Sequence, residues 1–183
     1  MSNRSPFGTL FILHIGGVNL EILPGDLLFV WGNGPIEEAI EWVTHGPSHC
    51  ALFLDNKTVA EAQAGRESGT ALLSDYVASG KRLEVWRDES LKDNERNKVV
   101  EYARQHFGIE YDYLAILAEL ARFELNIPIN SFHEGKRRIC SSYVNDCAKS
   151  INKNWASVPY TPAPIDLLKG GKLTRKGALT NGE

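Results

Sequence analysis

The chain has 183 residues, 43% of them apolar, and a formal net charge of −3 at pH 7. This length and composition predict one domain with a sizeable core. A slightly acidic balance is not typical of proteins that bind nucleic acid or anionic membranes. No apolar run approaches the length of a transmembrane helix, so stable membrane insertion is not expected.

Turn signals and apolar runs alternate along the first half of the chain, and longer helical patterns dominate the second half. A start at Pro35 and a stop at Gly46-Pro47 delimit the first helix. The predicted strands are 27–31, 48–54, 58–64 and 83–87. The predicted helices are 35–45, a short one around 72–77, 88–107, 111–125 and 140–151, with a last short turn at 165–168.

These elements predict a single domain over residues 1–183, with a core at 23–169. Residues 1–22 are expected to form an extra N-terminal segment, as a strand or hairpin. A signal peptide is not expected there, because His14 interrupts the apolar run and no cleavage site of small residues follows. The sequence leaves the localisation open, with cytoplasmic as the default expectation. The polar, basic residues 170–183 are expected to be a mobile tail.

Cys140 opens the predicted helix 140–151, where Tyr143, Val144 and Cys147 follow the helical period. The first turn of a helix carries unpaired backbone N–H groups and the positive end of the dipole, and both lower the pKa of a thiol. A Cys140 thiolate is therefore a candidate nucleophile. The alternative is that Cys140 is a small buried hydrophobe, as most free cysteines are.

A thiol nucleophile needs a base and a group that orients the base. His49, at the start of a strand, is the candidate base. Opposed residues of a hairpin share a face, and their numbers have a constant sum. A two-residue turn places Glu61 opposite Leu52, away from His49. A three-residue turn places Glu61 opposite Ala51, on the His49 side. We prefer this odd turn, with Gln63 as the alternative orienting residue.

The odd turn sends Cys50 to the other face, where it is predicted to pack, and Cys147 is predicted to lie in the core. Three cysteines at irregular spacing argue against a disulfide framework. A zinc site using His45 and His49 with the cysteines is the alternative. Gly46-Pro47 breaks the helix that such a histidine pair requires, and no two cysteines form a C-x-x-C pair. No metal and no cofactor are expected.

Six short stretches occur in a defined order: PGDLLF (24–29), SHCALFL (48–54), VAEA (59–62), GIEYD (108–112), CSSYV (140–144) and YTPAPIDL (160–167). With these stretches the chain resembles the circularly permuted branch of the NlpC-like papain-fold hydrolases, in particular the YiiX-like group. In this branch the histidine precedes the cysteine, as it does here. Cys50 stands where the family often has a small aliphatic residue.

The resemblance implies an α+β, circularly permuted papain-like fold with a central antiparallel sheet packed by helices. It implies Cys140 as nucleophile, His49 as base, and a polar third residue on the strand after His49, where Glu61 stands. The backbone N–H of Cys140 would donate to the oxyanion. The expected enzyme is a cysteine peptidase or amidase that works through a thioester.

The expected substrate is a small peptide or acyl amide, and the resemblance points to a muropeptide of the cell wall. The candidate substrate-binding residues are Gln63, Ser48, Tyr111 and Trp31. Two alternatives stay open. The related lecithin retinol acyltransferase group uses the same core, so the chain is alternatively an acyltransferase or lipid-amide hydrolase. The other alternative is a binding module without activity. The sequence predicts no oligomeric state.

Overall fold

The structure is a computed structural model, and it describes residues 12–15, 18–112, 137–156 and 158–179. The strands are β1 (Ile12–Ile15), β2 (Val18–Glu21), β3 (Leu27–Trp31), β4 (His49–Phe53), β5 (Thr58–Glu61), β6 (Gly69–Leu72), β7 (Arg82–Arg87) and β8 (Thr174–Leu179). The helices are α1 (Pro35–Thr44), α2 (Leu73–Ala78), α3 (Asp93–Gln105), α4 (Cys140–Lys149) and α5 (Pro164–Lys169).

Six strands form one antiparallel sheet in the order β6-β5-β4-β3-β7-β8, and β1 and β2 form a separate hairpin. This confirms the expected central antiparallel sheet in a mixed α and β fold. The N-terminal hairpin is also as predicted. Among the described residues, no helix is both long enough and apolar enough to cross a membrane.

The central strand β3 shows how the sheet divides the core, because its side chains alternate between the two faces. Leu27 and Phe29 pack with α3, α4 and α5 on one face. Leu28 and Val30 pack on the other face with residues of the β1–β2 region and of α2. Both faces of β3 are therefore buried, which explains its continuous apolar sequence.

The predicted helix 88–107 begins later than expected, at Asp93. Asp88 is buried and accepts hydrogen bonds from the Ser90 backbone N–H at 2.9 Å and from the Trp155 indole N–H at 3.0 Å. These contacts hold it in a loop. The predicted helix 111–125 lies almost wholly outside the described residues. Helix α1 ends at Thr44, before Gly46-Pro47, as predicted.

The hairpin of β4 and β5 has the register that a three-residue turn requires. Leu52 pairs with Ala60 and Phe53 with Val59, and the Leu54 N–H donates to the Thr58 carbonyl at 3.0 Å. The side chain of Asp55 closes the turn by accepting from the Thr58 N–H at 2.8 Å. The prediction of an odd turn is confirmed.

The prediction of a mobile tail is wrong for Thr174–Leu179. These residues form the edge strand β8, which pairs with β7. Leu179 is buried, and Gly177 lies against the side chain of Leu20. The sequence of β8 is polar because most of its side chains face solvent at the edge of the sheet. Charged side chains on an edge strand disfavour pairing of its free backbone groups with another chain. Its stability as a strand comes from β7, about ninety residues earlier in the chain.

A buried ion network joins the start of β3 to the end of β7 and to α3. Asp26 is completely buried, and its carboxylate accepts from Arg87 Nη2 at 2.7 Å and from Arg96 Nη1 at 3.2 Å. The side chains of both arginines are also 7% exposed. Removing one member leaves charges that are buried without their partner.

We expect Asp26→Ala to lower the free energy of unfolding by about 3 to 5 kcal/mol, because two buried guanidinium groups lose their carboxylate. Urea denaturation measures the change. The control is Glu89→Ala, which breaks the more exposed pair with Lys176 and is expected to have a small effect. Equal effects of the two substitutions would contradict this role of Asp26.

Candidate active site

His49 and Glu61 are brought together by the register of the β4–β5 hairpin. The Nε2 atom of His49 lies 2.7 Å from Oε2 of Glu61, and the two side chains are 14% and 1% exposed. An ionised carboxylate only accepts hydrogen bonds, so Nε2 is the nitrogen that donates. Nδ1 of His49 is then the ring nitrogen that is left to act as a base.

Cys140 is the first residue of α4, and this helix packs against the face of the sheet to which Cys50 belongs. The thiol of Cys140 lies near the Cys50 thiol and the His49 ring, close enough for both side chains to change its pKa. The hydrogen bond from Cys50 and the charge of His49 hold the pKa of Cys140 well below its usual value, although burial opposes this. The arrangement therefore favours a thiolate at Cys140.

The other two cysteines behave differently. Burial and the hydrogen bond to Cys140 raise the pKa of Cys50, so Cys50 keeps its proton and donates it. Burial raises the pKa of Cys147, whose thiol donates to the Tyr143 carbonyl at 3.3 Å. All three cysteines are free. Cys50 and Cys147 lie in the core as predicted, but the contact of Cys50 with Cys140 was not foreseen.

The beginning of α4 is fixed by one local hydrogen bond and by two bonds to other parts of the chain. The Ile139 N–H donates to the Ser142 hydroxyl at 3.0 Å, and the Ser141 hydroxyl donates to the Pro162 carbonyl at 2.5 Å. The Tyr143 hydroxyl donates to the Ala103 carbonyl of α3 at 2.6 Å. These bonds set the position of the Cys140 thiol relative to β4.

Two residues without a signal in the sequence contact Glu61. The Tyr76 hydroxyl donates to Oε2 of Glu61, and the Arg66 guanidinium donates to Oε1. The ring of Tyr76 is also nearly parallel to that of His49, at 13° and with 6.2 Å between centroids. Arg66 lies in a loop and Tyr76 in the short helix α2, and no periodic pattern connects either residue with the hairpin.

Two of the predicted substrate-binding residues are engaged by the protein itself. Ser48 is buried, accepts from the Gly32 N–H at 3.1 Å and donates to Glu41 Oε1 at 2.9 Å. Trp31 is partly buried, and the guanidinium carbon of Arg82 lies 4.2 Å from the centre of its ring. A role of Ser48 or Trp31 in substrate binding stays a prediction.

The other two predicted contacts lie in different surroundings. Tyr111 is partly buried against the core and forms a β-bridge with Arg138. Gln63 is exposed and does not replace Glu61 as the orienting residue. With Glu61, it borders a cavity of about 440 Å³. The remaining residues of this cavity are Arg66, Thr70, Ala71, Leu72, Asp75, Tyr76, Ser79 and Lys81.

We expect Cys50→Ala to raise the pH at which Cys140 becomes reactive. The hydrogen bond from Cys50 makes the largest contribution to the low pKa of Cys140, and its loss stabilises the protonated thiol. Cys50→Ser keeps a donor at this position and is the matched control. The measurement is the alkylation rate of Cys140 against pH, and an unchanged profile in Cys50→Ala would contradict the assignment.

The comparison with solved structures finds a fold neighbour. The crystal structure of the metalloprotein YiiX from Escherichia coli O157:H7 aligns with a TM-score of 0.52 and 16% sequence identity, over 86% of this chain and 97% of that chain. No family model matches the chain. No curated protein matches it significantly.

YiiX is described as a metalloprotein, so we asked whether the side chains of this chain suit a metal ion. Over the described ranges, no group of three or more His, Cys, Asp or Glu side chains is arranged to hold one. His45 ends α1 in a left-handed conformation (φ 53°) and is exposed, whereas Nε2 of His49 is bonded to Glu61. The described donor set does not fit a metal centre. The alignment with YiiX confirms the YiiX-like resemblance as a likeness of fold.

Proposed function

We propose that the chain is a thiol-dependent hydrolase that cleaves an amide bond, with Cys140 as nucleophile and His49 as base. Glu61 orients His49. The observation that carries the proposal is the place of the His49 ring, with Nε2 2.7 Å from Glu61 and the Cys140 thiol near enough for the ring to lower its pKa. A histidine and cysteine pair in this order along the chain is what the resemblance to the permuted papain-like hydrolases implies.

In the first half of the reaction the Cys140 thiolate attacks the carbonyl carbon and forms a C–S bond. Charge develops on the carbonyl oxygen. The backbone N–H of Cys140 is suited to stabilise it, because the first N–H groups of a helix have no intrahelical acceptor. When the C–N bond breaks, His49 transfers its proton to the leaving amine. A thioester on Cys140 remains.

In the second half, His49 takes a proton from water, and the resulting hydroxide attacks the thioester carbon. The C–S bond breaks and the product leaves as a carboxylic acid, while Cys140 returns to the thiolate. Glu61 stabilises the protonated imidazole at each stage and keeps Nδ1 towards Cys140. Glu61 is itself buried, so water competes little for its carboxylate.

The proposed substrate is a small peptide or acyl amide, and the YiiX-like resemblance favours a muropeptide. An acyltransferase or a lipid-amide hydrolase would form the same kind of acyl-enzyme. These activities differ only in the acyl group and in the acceptor that takes it from Cys140. A binding module without activity has no need for a thiolate, and the low pKa of Cys140 therefore supports the enzyme over the module.

We expect Cys140 to be alkylated well below pH 8.5, the pKa of an ordinary thiol, and to lose this reactivity in His49→Ala. The His49 ring favours the thiolate, so its removal raises the pKa of Cys140. Peptide mass spectrometry of each cysteine against pH measures the effect. Cys147, with its raised pKa, is an internal control in every sample. Reactivity of Cys140 that ignores His49 would contradict the pair.

We expect an acyl amide or muropeptide substrate to leave an acyl group on Cys140, visible as a mass increase of the intact protein. Cys140→Ala should show neither the increase nor turnover. Glu61→Gln should lower the turnover rate by about 10²-fold or more, because His49 loses its orienting carboxylate.

The fate of the acyl group distinguishes the two enzyme activities. Release as a free acid indicates a hydrolase, and release on an added amine or alcohol indicates an acyltransferase. Binding of the muropeptide without acylation would favour the module.

A further inference from the structure

The carboxylate of Glu61 is held by donors on both of its oxygens. His49 Nε2 and the Tyr76 hydroxyl share Oε2, and Arg66 donates to Oε1. The side chain of Glu61 is 1% exposed, so protein groups take the place of its hydration shell. The direction in which Oε2 faces His49 therefore depends on the two other donors.

Tyr76 and Arg66 differ in how firmly they hold this carboxylate. The side chain of Arg66 is 43% exposed, so solvent screens its interaction. Tyr76 is mostly buried, and burial raises the pKa of its hydroxyl, which therefore stays a donor over the pH range in which the Cys140 thiolate forms. Tyr76 also contacts the second member of the site, because its ring is aligned with the His49 ring.

We propose that Tyr76 is a positioning residue, whose hydroxyl orients the Glu61 carboxylate while its ring restrains the His49 imidazole. The proposal rests on the hydrolase function proposed above. With Oε2 fixed between two donors, His49 keeps the tautomer with hydrogen on Nε2, and Nδ1 stays available to Cys140. Without the hydroxyl, the carboxylate is held only by the more exposed Arg66 and by His49 itself, and it can turn. His49 then populates the other tautomer and other ring orientations, in which it no longer accepts the Cys140 proton.

The test is Tyr76→Phe, which keeps the ring and removes only the hydroxyl. The ¹⁵N chemical shifts of the His49 ring report its tautomer directly, and Cys140→Ala provides a background without the thiolate. In this background we expect mainly the Nε2–H form with Tyr76 and a mixture of tautomers in Tyr76→Phe. With Cys140 present, alkylation at neutral pH should slow about tenfold to a hundredfold, the usual range for losing a hydrogen bond to a charged group.

Tyr102→Phe is the matched control, because Tyr102 also stacks on a histidine, His106, with 3.9 Å between ring centroids and an interplanar angle of 22°. It should leave the His49 signals and Cys140 alkylation unchanged. Unchanged His49 tautomer and unchanged alkylation in a folded Tyr76→Phe protein would overturn the proposal. Thermal melting shows whether the variant is folded.

A double-variant cycle gives a second measurement, which compares the effect of Tyr76→Phe in two backgrounds. In Glu61→Gln, where no carboxylate remains to be oriented, adding Tyr76→Phe should slow alkylation no further. Equal effects of Tyr76→Phe with and without Glu61→Gln would mean a purely structural role. The two proposals fail separately: alkylation that ignores His49 contradicts the hydrolase, whereas a tautomer that ignores Tyr76 contradicts the positioning role.

Discussion

The three-residue turn between β4 and β5 is the constraint on which the candidate site depends. Side chains of a strand alternate, so the length of this turn decides which residues of the two strands share a face. The observed register pairs Leu52 with Ala60 and brings Glu61 to 2.7 Å from His49. A slip of one residue would turn Glu61 towards the core beneath α4 and leave His49 without its carboxylate.

The same alternation places Cys50 on the opposite face of the sheet, where α4 packs. His49 opens β4, and there its ring is bonded to Glu61 on the other face and also lowers the pKa of Cys140 on α4. Burial alone would keep Cys140 protonated. The donor from Cys50 and the charge of His49 reverse this, so the chemistry of the thiol follows from where α4 lies on the sheet and not from α4 alone.

Burying a carboxylate requires donors for both of its oxygens, and this requirement links the site to parts of the fold that carry no catalytic group. Glu61 obtains its donors from a loop through Arg66 and from α2 through Tyr76. Helix α2 has only six residues and packs on the same face of the sheet as Leu28 and Val30. Through Tyr76, this helix between β6 and β7 contacts Glu61, although it lies outside every stretch of the YiiX-like resemblance.

The sequence alone was sufficient for contacts that lie within one local unit. His49 and Glu61 are twelve residues apart in a hairpin, so period-two alternation reduced their arrangement to two turn lengths, of which the preferred one is observed, and the helical period predicted that Cys140 begins α4. Only the tertiary structure decided that Cys50 meets Cys140, that Tyr76 holds Glu61, and that residues 174–179 form a strand. The physical reason is that periodicity reports which face of an element is buried, but not which distant element covers that face.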